Sequence, residues 1–137
     1  MIDTMENPPD ASQSMRIALI SAGCAAAELG RLRSFLRTPT QLLSPAQLRG
    51  LRQGSGNWFL VAFVDNVQSL QDIPMKDCEA TTLLAGIVAL DCSSPLHEQP
   101  GWPPMFGPTK LGMLLLDRLL NCIQRVWYAE NPPRPTA

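Results

Sequence analysis

The sequence predicts one α/β domain with a five-stranded parallel sheet over residues 15–128 of a 137-residue chain. Short apolar segments, typical of strands covered on both faces, alternate along the chain with amphipathic helical patterns. The hydrophobic fraction of 45% is enough for the core of one domain. Residues 1–14 and 129–137 are polar, contain proline and lack periodicity, so we expect two disordered tails.

The first half of the chain contains three predicted strands and two predicted helices. Residues 16–21 and 40–44 are predicted strands, and 58–64 is the strongest one because its seven residues are all apolar. Apolar residues recur every three or four positions over 25–36, which predicts an amphipathic helix. A Ser-Pro pair at 44–45 predicts the start of a short helix that reaches residue 52.

The second half begins with a predicted strand over 81–90 and ends with a predicted helix over 109–127, for which Thr109 is the candidate N-cap. Between them, residues 93–104 hold four prolines and no usable period, so we expect an irregular loop there. Met105-Phe106 is at most a very short strand.

The final helix has more apolar residues than one face can hold. One stripe is predicted to pack on the sheet: Leu111, Leu114, Leu115, Leu119, Cys122, Ile123 and Val126. Leu116, Leu120 and Trp127 widen the apolar face, which predicts a second, partner-binding surface. Trp102, in the proline-rich loop, is a further candidate partner-binding residue.

This order of elements predicts a flavodoxin-like three-layer sandwich in which the fourth helix is replaced by the proline-rich loop. Ligands of such folds gather at the carboxyl ends of the strands. Cys24 follows the first strand there and could serve a small enzyme or a phosphocarrier. A phosphatase loop needs an arginine six positions after its cysteine, whereas Arg31 is seven positions away.

Residues 106–119 read Phe-Gly-Pro-Thr-Lys-Leu-Gly-Met-Leu-Leu-Leu-Asp-Arg-Leu. This segment resembles the end of the receiver domains of response regulators, where a Lys-Pro pair leaves the fifth strand and a leucine-rich helix follows. The resemblance implies that Asp65 stands at the phospho-acceptor position. The acidic pair of the family is replaced by Ser21-Ala22, and the lysine before the proline is Gly107. The resemblance therefore implies a degenerate receiver with no catalytic residue and no bound Mg²⁺.

Composition limits the remaining classes of function. The 11 basic and 12 acidic residues argue against direct nucleic-acid binding, and the chain has one histidine and no CxxC, so we expect no metal and no cofactor. No apolar run approaches the ~20 residues that cross a bilayer, which predicts a cytoplasmic protein without membrane contact. The arginines between Glu28 and Asp65 could favour an acidic partner, but a solvated face is the preferred interpretation.

Three functions stay open on this evidence. The favoured one is a non-catalytic module that binds a protein partner in signalling or transcription control, with a homodimer through the C-terminal helix as one form of that binding. The second is an enzyme or phosphocarrier that uses Cys24. The third is a subunit or assembly factor of a larger complex.

Overall fold

Five strands and three helices make up the described part of the chain, which in a computed structural model comprises residues 15–22, 25–52, 56–66, 73, 81–90 and 103–131. In chain order they are β1 (Met15–Ser21), α1 (Ala25–Arg33), β2 (Gln41–Leu43), α2 (Pro45–Arg49), β3 (Asn57–Val64), β4 (Thr81–Ala89), β5 (Met105–Phe106) and α3 (Lys110–Glu130). The strands pair in the order β2-β1-β3-β4-β5, and every pairing is parallel. The predicted parallel five-stranded sheet is confirmed.

The long apolar strand β3 lies at the centre of the sheet. It pairs with β1 over seven residues and with β4 over eight, and its side chains from Leu60 to Val64 are all buried. A strand covered on both faces needs apolar residues at consecutive positions, since alternate side chains point to opposite faces. The continuous apolar run at 58–64 predicts this central position.

The two faces of the sheet carry separate hydrophobic clusters. Ile17, Leu19, Val61 and Phe63 point to one face, which α1 and α3 cover, and we call it the α1–α3 face. The intervening strand residues point to the other face, where Leu48 of α2 joins them. One extra residue in β4 lies opposite the step from Leu60 to Val61 of β3, so Leu83 before it and Gly86 after it both face the α1–α3 side.

Both predicted helix caps are confirmed. The Thr109 hydroxyl accepts the backbone N–H of Gly112 at 3.0 Å. Ser44 and Gln47 form a reciprocal capping box at the start of α2. The helix ends differ from the predicted ones: α1 and α2 each end three residues early, and α3 continues to Glu130.

The predicted orientation of the C-terminal helix is wrong. The apolar pattern predicts Leu116 and Leu120 on an outer surface, but both are fully buried against the sheet together with Met113. Leu111, Leu115 and Val126 of the predicted packing stripe are instead exposed, as is Cys122. The helix is thus turned by roughly a third of a revolution or more from the predicted orientation.

Several predicted features lie outside the described residues. They are the two tails apart from 129–131, the proline-rich loop with Trp102 up to residue 102, and Cys24. The three-layer sandwich and the replacement of a fourth helix by this loop therefore stay predictions.

Candidate functional site

The carboxyl edge of the sheet brings together the ends of β1, β3 and β4. Ala22, after β1, donates its backbone N–H to the carbonyl oxygen of Phe63 at 3.0 Å. Leu90, after β4, donates in the same way to Val64 at 2.9 Å. Asp65 follows Val64 at this edge, which is where open parallel sheets bind their ligands.

The described residues at this edge offer little for catalysis. Asp65 is half-buried, and β1 ends in a hydroxyl and a methyl group, from Ser21 and Ala22. Within the described ranges, no cluster of three His, Cys, Asp or Glu residues could hold a metal ion. Cys24, Asp91 and the two serines at 93–94 lie outside those ranges.

The loop between β5 and α3 packs tightly against the first turn of α3. The Thr109 hydroxyl is engaged in the helix cap, and Lys110 is exposed. A Cβ atom added at Gly112 would overlap the carbonyl oxygen of Gly107, so the two backbones are in direct contact. This turn therefore serves to seat the start of α3 on the sheet.

The arginine-rich stretch around α1 is tied into local structure. Arg31 forms an ion pair with Glu28 at 2.8 Å, one turn earlier in the helix. The Arg33 guanidinium donates to the carbonyl oxygen of Thr40 at 2.8 Å, which joins the end of α1 to the start of β2. Arg31 is exposed, as predicted for a solvated face, whereas Arg33 is half-buried.

The outer face of α3 is the most apolar exposed feature of the described chain. Leu111, Leu115 and Val126 expose 67%, 51% and 56% of their surface, and Cys122 is exposed between them. Their spacings of four, seven and four residues place all four side chains on one side of the helix. We call these four residues the outer stripe.

The outer stripe points away from α1. Asp117 contacts the backbone just after α1, and Gln124 lines a depression beside the start of β1 and residues 39–41. Leu115 lies two residues before Asp117, and Cys122 lies two residues before Gln124. Two residues along a helix are about 160° apart around its axis, so each pair points in nearly opposite directions. The outer stripe is therefore on the side of α3 nearer the β4–β5 edge of the sheet.

An apolar groove adjoins the outer stripe at the C-terminal end of α3. It has a volume of about 340 Å³, and its lining residues are Phe59, Cys122, Ile123, Val126, Trp127 and Glu130. The rings of Phe59 and Trp127 meet edge to face, with centroids 5.9 Å apart and planes at 73°. Two aromatic rings thus form part of the groove lining.

Leu83 adds to the apolar surface near this groove. It is 59% exposed, and it pairs with Phe59 across β4 and β3, so both side chains point to the α1–α3 face. Sequence reasoning missed both residues, because each lies in an apolar strand that was expected to be covered throughout. Their pairing depends on strand register, for which the local sequence carries no signal.

Of the predicted partner-binding residues that the structure describes, one lies at this surface. Trp127 is half-buried, packs against the core of the α1–α3 face and lines the groove. Its role in partner binding stays a prediction. Leu116 and Leu120 are in the core, and Trp102 is outside the described residues.

Basic side chains border the outer stripe. Arg118 and Arg125 are exposed and lie within about 60° of Cys122 around the helix. Neither forms a salt bridge within the part of the chain that the structure describes. Glu130 is the acidic residue at the far end of the groove. The surface thus combines an apolar centre with a positive border on one side.

Comparisons of the chain with models of protein families, with curated proteins and with solved structures give no match. Among the described helices, none has the length and apolar character needed to span a bilayer.

Proposed function

We propose that the protein is a non-catalytic, receiver-like regulatory module that acts through protein–protein interaction in signalling or transcription control. The strand order β2-β1-β3-β4-β5 supports the proposal, because flavodoxin-like domains, receivers included, have this order. Asp65, at the carboxyl end of the central strand, occupies the degenerate phospho-acceptor position. The proposed architecture is the three-layer sandwich with the proline-rich loop in place of a fourth helix.

The residues around Asp65 support the absence of phosphoryl-transfer chemistry. Magnesium binding by a receiver requires carboxylates after the first strand, because Mg²⁺ prefers hard oxygen ligands. Ser21 and Ala22 occupy that strand end and supply no carboxylate. Gly107 stands in the place of the lysine that precedes the proline in the receiver family.

The exposed outer stripe of α3 is the observation that carries the proposal. Single exposed leucines are ordinary, but a line of apolar side chains that continues into a groove is typical of a protein-binding surface. Leu111, Leu115 and Val126 are each more than half exposed. Burying them on a partner would remove apolar area from water, which is the main driving force of association.

A homodimer through α3 is one form of this interaction. A two-fold axis would place the outer stripe of one protomer on that of the other, since such an interface uses the same patch twice. The proposal also covers a different protein partner that binds the same stripe.

Parallel capture experiments test the proposal. The parent, Leu115→Lys and Leu42→Lys are each used as bait, and the proteins that they capture are compared. Sedimentation of the three purified chains measures self-association. Leu42 is a matched control because it is also exposed but lies on β2, at the opposite edge of the sheet. We expect a partner, or self-association, that the parent and Leu42→Lys share and Leu115→Lys loses. Identical partners and identical sedimentation for all three would contradict the proposal.

A further inference from the structure

The groove at the end of α3 lies close to the point where the described chain begins. Met15 pairs with Asn57, two residues before Phe59 of the groove lining. Adjacent strands are ~4.8 Å apart and residues rise ~3.3 Å along a strand, so the Cα atoms of Met15 and Phe59 are roughly 8 Å apart. The N-terminal segment therefore joins the domain at the end of the sheet where the groove lies, on the Gln124 side of α3.

The chemistry of the N-terminal segment is complementary to this surface. Residues 1–6 read Met-Ile-Asp-Thr-Met-Glu, so three apolar side chains are interspersed with two carboxylates. Residues 1–14 contain three acidic side chains and no basic one. The groove is apolar, and Arg118 and Arg125 border the adjoining stripe without a salt bridge among the described residues.

We infer that residues 1–6 dock onto this surface of their own chain, with Ile2 and Met5 in the apolar groove and Asp3 and Glu6 beside the arginines. Methionine suits such a site because its flexible side chain fills irregular apolar space. Glu130 determines how the segment is oriented in the groove. It lines the groove at the C-terminal end of α3 and repels carboxylates, so Asp3 and Glu6 face the side that bears the two arginines.

The length of the segment allows this docking. Met15 is thirteen positions after Ile2, and a fully extended chain spans about 3.4 Å per position, or roughly 44 Å in all. Arg118 is nine residues before Trp127 on α3, which is roughly 14 Å along the helix. The segment is therefore long enough to pass the C-terminal end of α3 and reach both arginines from its attachment at Met15.

Docking within one chain needs only a weak intrinsic affinity. A short link produces an effective concentration in the millimolar range, so burial of two apolar side chains with charge attraction gives substantial occupancy.

The inference rests on the groove and not on the receiver-like assignment. It adds regulation to the proposed function, because the segment would cover Cys122 and Val126 of the outer stripe. A protein partner that uses the stripe would then have to displace residues 1–6. The two ideas are tested separately, because the alkylation experiment uses the isolated 137-residue chain and no partner.

Alkylation of the Cys122 thiol by iodoacetamide measures the docking. The rate is followed by mass spectrometry of the peptide that contains Cys122, in the folded parent and in the Ile2→Ser/Met5→Ser double variant. Docking covers this cysteine, so we expect the double variant to react about three- to ten-fold faster. A Thr4→Ser/Asn7→Ser variant keeps the apolar and acidic side chains and should react like the parent.

Charge reversal tests the direction of docking. The quantity compared is the Cys122 alkylation rate of the chain with Ile2→Ser/Met5→Ser divided by the rate of the chain with natural residues 1–6. In an Arg118→Glu/Arg125→Glu background, this ratio should fall to one. Adding Asp3→Lys/Glu6→Lys should restore a ratio above one. Because each ratio compares two chains with the same α3, changes in the intrinsic reactivity of the thiol cancel.

Three outcomes would overturn the inference. Equal Cys122 rates in the parent and the double variant would show that the segment does not cover the groove. A ratio that charge reversal leaves unchanged would show that Arg118 and Arg125 do not bind the segment. A ratio that rises with protein concentration would identify a second copy of the chain as the occupant, whereas docking within one chain gives a ratio independent of concentration.

Discussion

Asp117, in the middle of α3, accepts the backbone N–H of Thr38 on its Oδ1 atom at 2.8 Å. The same oxygen accepts the N–H of Arg37 at 2.9 Å, and the Thr38 hydroxyl donates to the Asp117 carbonyl oxygen at 3.4 Å. These bonds join residues 79 and 80 positions apart in sequence, and they attach α3 to the link between α1 and β2. One carboxylate thus determines which side of α3 faces α1.

Asp117→Ala should destabilise the domain. The two backbone N–H groups lose a charged acceptor, and that of Thr38 is partly buried, so we expect a loss of about 1–3 kcal/mol in the free energy of unfolding. Asp117→Asn keeps one acceptor oxygen and should lose less. Urea unfolding measures both, with the exposed Arg118→Ala as the control. Equal stability of Asp117→Ala and the control would show that these bonds contribute nothing.

Gly112→Ala should also be destabilising, although alanine is the better helix former. Its Cβ would overlap the carbonyl oxygen of Gly107, so α3 must shift from the sheet at a cost of about 1–3 kcal/mol or more. Gly30 in α1 is a matched control, because an added Cβ there has nothing within 4 Å. Gly30→Ala should stabilise by about 0.5–1 kcal/mol. Thermal unfolding of both variants checks the opposite signs.

Neighbouring leucines on α3 should respond very differently to truncation. Leu116 is fully buried, so Leu116→Ala should cost about 2–5 kcal/mol. Leu115 belongs to the outer stripe, and Leu115→Ala should change the stability of the monomer by no more than about 0.5 kcal/mol. Denaturant unfolding at low protein concentration measures the difference. Similar costs at the two positions would contradict the observed orientation of the helix.

Asp65 should not accept a phosphoryl group. Incubation of the parent with acetyl phosphate and Mg²⁺ should leave its intact mass unchanged, because β1 ends without the carboxylates that would hold the metal ion. Asp65→Asn provides the reference. A phosphoryl adduct on the parent that is absent from Asp65→Asn would overturn the non-catalytic part of the proposed function.

Much of the fold was predictable because its signals are local. The consecutive apolar residues of β3 predict a strand covered on both faces, and Thr109 and Ser44 predict helix starts through hydrogen bonds within one turn. The parallel sheet follows from the alternation of such segments. The apolar surface around the groove was not predictable, because the pairing of Leu83 with Phe59 depends on strand register.

Local sequence is sufficient to predict the strands, the helix caps and the parallel α/β class, since each depends on residues close together in the chain. It also placed an excess of apolar residues on α3. Which of these residues are buried depends on contacts between distant parts of the chain, because apolar side chains surround much of this helix and its periodicity admits two orientations. Long-range contact of Asp117 with Thr38, and the fit of Gly112 against Gly107, select the orientation that buries Leu116 and Leu120 and leaves the outer stripe exposed.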